Sequence, residues 1–302
     1  MAVIVGVAVG VVVMLEVALG MLEVAVGIPS GVRSGSLLHY APNGNFGANG
    51  EYRPSEAGFN LADISSAGQL ASLPPAVKGL VWVGACNGAD ETFITMVRPF
   101  VNNPKVFGFY LMDDPDPRQS LFAPRASSVC SAEHLRAESD WIHANVAGAK
   151  VFIVLMNMGS SKLPSFENTY NPFNSHVDLF GISPYPCRTE LPICDYAMIN
   201  HYVSAALSAG IPQESIVPIY QTFGGGDWVD DVGGHYRMPT VSEEREILRH
   251  WAKVIRMPTF DYAYSWASQK QDMSLAISNE LRALFTNYNN ISSTASYDKA
   301  QR

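Results

Sequence analysis

A single (β/α)8 barrel of the TIM type, an α/β fold, is the architecture this sequence predicts, and three observations predict it. Short β-rich apolar runs alternate with longer helix-like stretches over most of the chain, the pattern left by repeated strand–helix crossovers. The runs are continuously apolar rather than alternating, as strands buried on both faces of a parallel sheet require. The rival doubly wound open sheet announces itself with a glycine-rich phosphate loop after an early strand, and neither GxGxxG nor GxxxxGK[ST] occurs. Gly224-Gly225-Gly226 follows a strand-like run but has no Lys-Ser/Thr downstream.

Taken in order, the strand-like runs are Leu37–Ala41, Leu80–Gly84, Val106–Met112, Val151–Met156, Leu179–Ser183, Val217–Thr222 and Phe260–Trp266. Helices are expected over Asp63–Leu73, Asp90–Val101, Ser131–Val146, Asp195–Gly210, Val241–Ile255 and Ser274–Asn287. Ser131 stands at a helix entry, Thr240 sits a capping-box spacing before Glu243, and Gly210 with Pro212 supplies a stop. Seven strands leave a barrel one short. The eighth is expected in the Gly- and Asn-rich stretch Gly44–Asn60 or as a distorted strand near Ile28–Ser36.

Composition bounds the function. The chain has 302 residues, of which 47% are hydrophobic and only 16% charged, so it can build a large core and is not intrinsically disordered. The formal net charge is −8 and no basic stripe is present, which argues against nucleic acid as a partner. Met1–Gly27 is apolar apart from Glu16 and Glu23. It reads as a secretory signal ending in Ala25-Val26-Gly27, as a membrane anchor, or as translated sequence upstream of the true start. In each case residues 28–302 form the single catalytic domain, expected to be secreted, periplasmic or held at the cell surface. With export, Cys187 and Cys194 suit a local disulfide, leaving Cys86 and Cys130 as the second pair; otherwise all four are buried thiols.

In a parallel barrel the active site forms at the C-terminal strand ends. Those ends collect carboxylates (Asp113, Asp114, and Asp227 beyond the sixth run), amides (Asn157, Gln221) and aromatics (Tyr110, Tyr185, Tyr220, Trp228, Trp266), with His39 on the first strand. Aromatic faces stack on the C–H faces of pyranose rings while amides and carboxylates bond the hydroxyls. The expected partner is therefore an oligo- or polysaccharide. No HxH, HExxH or CxxC spacing, no GxSxG elbow and no cofactor motif appears, and the one oxygen-rich alternative, a hard cation held by Asp114 and Asp116, is weaker than the sugar reading.

Gly108-Phe109-Tyr110-Leu111-Met112-Asp113-Asp114-Pro115 resembles the G-[FY]-Y-L-x-D-E-P strand end of some barrel proteins of the glycoside hydrolase superfamily. Asp178–Pro186 is similar to their D-x-x-G-x-x-x-Y-P strand, and Phe260–Trp266 resembles their closing aromatic strand. The resemblance implies a (β/α)8 barrel and an enzyme that hydrolyses or transfers glycosidic bonds. Two departures bear on mechanism. Asp114 stands where the pattern has glutamate, and Gln221 falls on the strand where a retaining layout has its nucleophile. An inverting hydrolase with Asp114 as general acid and Asp227, Asp272 or Glu91 as base is one reading. A retaining enzyme or transglycosidase with an aspartate nucleophile is another, and a sugar-binding barrel that has lost its nucleophile is the third. Successive residues on a strand face opposite ways, so only one of Asp113 and Asp114 is expected to face the cleft.

Overall fold

The computed structural model describes residues 37–118, 130–230 and 233–293. The apolar segment 1–27, with the export or anchoring role read into it, lies outside them. Eight parallel strands close into a barrel in chain order. They are β1 (Leu38–Tyr40), β2 (Leu61–Ile64), β3 (Lys78–Trp82), β4 (Val106–Met112), β5 (Lys150–Val154), β6 (Leu179–Ile182), β7 (Ile216–Gln221) and β8 (Phe260–Tyr264). Closure comes from β1 against β8, with Leu38 opposite Phe260, His39 opposite Asp261 and Tyr40 opposite Tyr262.

The helices are α1 (Ala67–Ser72), α2 (Glu91–Val97), α3 (Ala132–Asn145), α4 (Pro172–Ser175), α5 (Ala197–Ser208), α6 (Val241–Val254) and α7 (Asn279–Ser293). A 3-10 turn, Arg53–Ala57, takes the helix position between β1 and β2. The entry signals act as expected. Ser131 Oγ accepts the His134 N–H at the start of α3. At α6 the Thr240 hydroxyl and the Glu243 carboxylate cap each other's backbone N–H.

The eighth strand lies in neither expected place. It is β2, whose second half, Asp63-Ile64, falls in the stretch expected to be helical, while Ile28–Ser36 lies outside the described residues. Leu61-Ala62-Asp63-Ile64 is too short to show a period, and its helix-like neighbours mask it. The helix itself begins only at Ala67, where Ser66 Oγ accepts the Gln69 N–H. Residues 44–60 instead hold a Phe46–Tyr52 bridge and the 3-10 turn. α4, a single turn after β5, is not foreseen by the sequence pattern.

Two hydrophobic layers follow from the strand alternation. Tyr40, Leu61, Leu80, Tyr110, Phe152, Val154, Leu179, Val217, Ile219, Phe260 and Tyr262 fill the barrel interior. Val81, Phe109, Leu111, Val151, Ile153, Phe180 and Tyr220 belong to the larger core that includes the helices. Two disulfides tie down the loops beyond the C-terminal strand ends, Cys86–Cys130 and Cys187–Cys194. Among the described residues, no helix is long and apolar enough to cross a membrane.

Candidate active site

The site is built at the end of β4. Its strand leads directly into Asp113-Asp114-Pro115, and β-alternation alone would separate the two carboxylates. The structure brings them together. The β4–β5 register shifts between Tyr110 and Met112, and Asp114 adopts a left-handed φ of 45°. Its N–H donates to the Val154 carbonyl of β5 at 3.2 Å. A left-handed conformation is unusual for a residue with a side chain and doubly so before proline. Strain of this kind costs on the order of 1–3 kcal/mol and gathers at functional sites. Its effect here is that both carboxylates line one cavity of about 140 Å³.

That cavity is walled by Val154, Ser183, Tyr185, Ile219, Trp228, Tyr262 and Tyr264. Asp113 and Asp114 are exposed at its mouth, and the cavity walls crowd the rest of each side chain. This confinement and the adjacent Asp113 charge push the Asp114 carboxyl up to about 7. Burial also raises Asp113, opposed by the Tyr110 hydroxyl, which donates to its Oδ1 at 2.6 Å. A third carboxyl, Asp63 at the end of β2, is raised by burial and lies beside Tyr40. Near pH 7 the Asp113–Asp114 pair can therefore hold a proton on one carboxyl and a charge on the other, the state that acid–base chemistry requires.

Tyr185 opens onto the cavity, its ring 6.0 Å from that of Tyr264. Tyr110 lies just beneath, bound to Asp113 and edge-on to Trp82. The remaining candidates are placed elsewhere. His39 and Tyr220 face the helix layer because their strand neighbours Tyr40 and Ile219 face inward. There His39 Nδ1 pairs with Asp261 Oδ1 at 2.8 Å, and the Tyr220 hydroxyl donates to Asp261 Oδ2 at 3.3 Å. Trp266 is buried edge-on against Phe59 in the same layer.

Gln221 is fully buried and braces backbone: its Oε1 accepts the Cys187 N–H and its Nε2 donates to the Cys187 and Arg237 carbonyls. Asn157 organises its loop, accepting the N–H groups of Gly159 and Ser165 and donating to the Tyr202 hydroxyl. Asp227 is exposed on a turn and does not line the cavity. Of the alternative bases, Asp272 is occupied by the Ser268 hydroxyl and two N–H groups, and Glu91 is exposed at the start of α2. Cys187, Cys194 and Glu243 cluster closely enough to suggest metal ligands, but the two sulfurs are joined in a disulfide.

The lining residues Tyr262, Tyr264 and Ser183, and the nearby Asp63, are not singled out in the sequence as site residues. Tyr262 and Tyr264 were legible in principle, since Phe260, Tyr262 and Tyr264 share one strand face. Asp63 is hidden by the helical reading of its segment.

No protein-family profile matches the sequence, and no curated protein matches it. Solved structures do. A group IV chitinase of Ostrinia furnacalis in complex with allosamidin superposes with a TM-score of 0.53 at 11% identity, covering 85% of this chain and 100% of that one. A chitinase of Chromobacterium violaceum gives 0.51 at 10% identity, covering 85% and 99%. A Lactobacillus rhamnosus β-glucuronidase gives 0.53 at 11%, covering 85% and 50%. The chain shares its (β/α)8 barrel with these glycosidases. At such identities the likeness is one of fold, and the chemistry must be argued from this chain's own cleft.

Proposed function

We propose that the protein hydrolyses or transfers glycosidic bonds, with Asp114 as the general acid. The observation that carries this reading is the pair Asp113–Asp114, turned by the left-handed Asp114 into one aromatic-walled cavity at the C-terminal barrel mouth. Protonated Asp114 donates to the departing glycosidic oxygen. Ionised Asp113, oriented by Tyr110, stabilises the positive charge that develops at the anomeric carbon; water, or an acceptor hydroxyl in transfer, then bonds to that carbon and gives its proton to the Asp114 carboxylate. Tyr185, Tyr264 and Trp228 hold the sugar ring. A non-catalytic sugar-binding barrel is the second reading, favoured by the commitment of Gln221 to backbone bonds and the absence of a carboxylate there. We also propose that Met1–Gly27 serves export or anchoring, since two disulfides suit an oxidising compartment.

The test is release of reducing ends from a panel of neutral and acidic glycans by the full chain and by Asp114→Asn, with folding checked by circular dichroism. Turnover by the parent and its loss in a folded Asp114→Asn protein supports the assignment. Equal turnover by both removes Asp114 from the mechanism. Sugar binding without turnover in the parent selects the second reading.

A further inference from the structure

One wall of the cavity is better prepared than catalysis alone requires. Trp228 lies on the connection between β7 and α6, just after Gly225 and Gly226, both at positive φ. This connection is pinned at its base by a bridge between Gly224 and Met273 and within itself by one between Val229 and His235. The Lys270 ammonium stands 4.1 Å from the centre of the Trp228 ring. Phe223 and Tyr264 pack against the indole at ring-centre distances of 5.3 Å and 6.1 Å. The ring is thus fixed before any ligand arrives, and it lines the cavity together with Asp113 and Asp114. A rigid flat surface recognises a C–H face at little ordering cost.

The charges add a constraint. The cavity lining carries the Asp113–Asp114 pair, with at least one negative charge, and among the described residues lining it no Lys or Arg; Lys270 stands against the Trp228 ring but is not part of that lining. A sugar bearing its own carboxylate would meet like charge in a confined space.

We propose that Trp228, clamped by Lys270, is the platform for the sugar ring beside the reacting bond, and that the cleft selects neutral pyranosides over uronic acids. The proposal rests on the glycosidase reading for its reference to a reacting bond. Its binding prediction stands independently of whether Asp114 is the acid.

The experiment is calorimetric titration of Asp114→Asn protein, which lacks the proposed acid but keeps the Asp113 charge, with chitotetraose, cellotetraose, mannotetraose and tetragalacturonate. The same titrations are made with Trp228→Ala and Trp228→Phe added. At least one neutral tetrasaccharide is expected to bind, and tetragalacturonate at least ten-fold more weakly. Trp228→Ala is expected to weaken the neutral ligand about ten-fold, and Trp228→Phe to recover most of that loss. Unchanged affinity in a folded Trp228→Ala protein overturns the platform, as does a loss in Trp228→Phe equal to that in Trp228→Ala. Preferred binding of tetragalacturonate overturns the selectivity, and absence of binding by every neutral sugar overturns the whole proposal. Persistent turnover in Asp114→Asn with these affinities intact would instead refute only the catalytic assignment.

Discussion

Asp114 takes its orientation from its backbone and its proton affinity from its surroundings. Confinement and the charge of Asp113 favour its acid form up to about pH 7. General-acid catalysis by Asp114 should therefore persist below that pH and fall away above it as the carboxyl ionises. Asp113→Asn removes the like charge, so the same alkaline limb should move to lower pH, alongside a loss of rate from the missing anion. Glu138 offers a separate residue-scale test. Its fully buried carboxyl accepts the N–H groups of Asn87 and Gly88, both at 3.0 Å, and burial pushes it up to about 8. The unfolded chain releases that proton near 4.3. Folded stability should thus decline as pH rises from about 4.3 to 8. Glu138→Gln keeps an acceptor oxygen without the charge. Thermal unfolding should show it close to the parent at pH 5 and more stable at pH 8.5, by roughly 4 kcal/mol. At this scale the sequence could show which residue types gather at strand ends but not which way they point. His39 and Tyr220 are outward because strand parity fixes them so, whereas Asp114 breaks parity through a φ that no residue pattern announces.

Elements with their own signals were the legible ones. α3 and α6 begin where Ser131 and Thr240 cap them, and the apolar runs became strands. β2 was lost because four residues cannot display a period, and with it went Asp63. Thr240→Ala should cost about 1 kcal/mol, read as a fall of about 2–4 °C in the unfolding midpoint. The disulfides should contribute unequally. Cys86–Cys130 spans 44 residues and Cys187–Cys194 only 7. Loop-closure entropy then assigns about 4 kcal/mol to the first and about 2 kcal/mol to the second. Paired Cys→Ser variants compared by denaturant midpoint would test that order, and a larger loss from the short loop would contradict it.

For the whole molecule, a closed barrel gathers eight strand ends into one mouth, so residues far apart in sequence meet in a single cleft. Asp114, Tyr185 and Trp228 come from three different strand–helix connections, and Tyr264 from the end of β8. The fold class was readable because crossovers repeat along the chain; the composition of the cleft was not, because it depends on register and loop course. Asp114, protonated in this cleft, is expected to drive glycosidic bond cleavage. This role is tested most directly by the pH dependence of glycan turnover in the parent, Asp113→Asn and Asp114→Asn. An alkaline limb near pH 7 in the parent, lowered in Asp113→Asn, with no turnover in folded Asp114→Asn, is the predicted result. Turnover by Asp114→Asn with the parent's limb intact would contradict it.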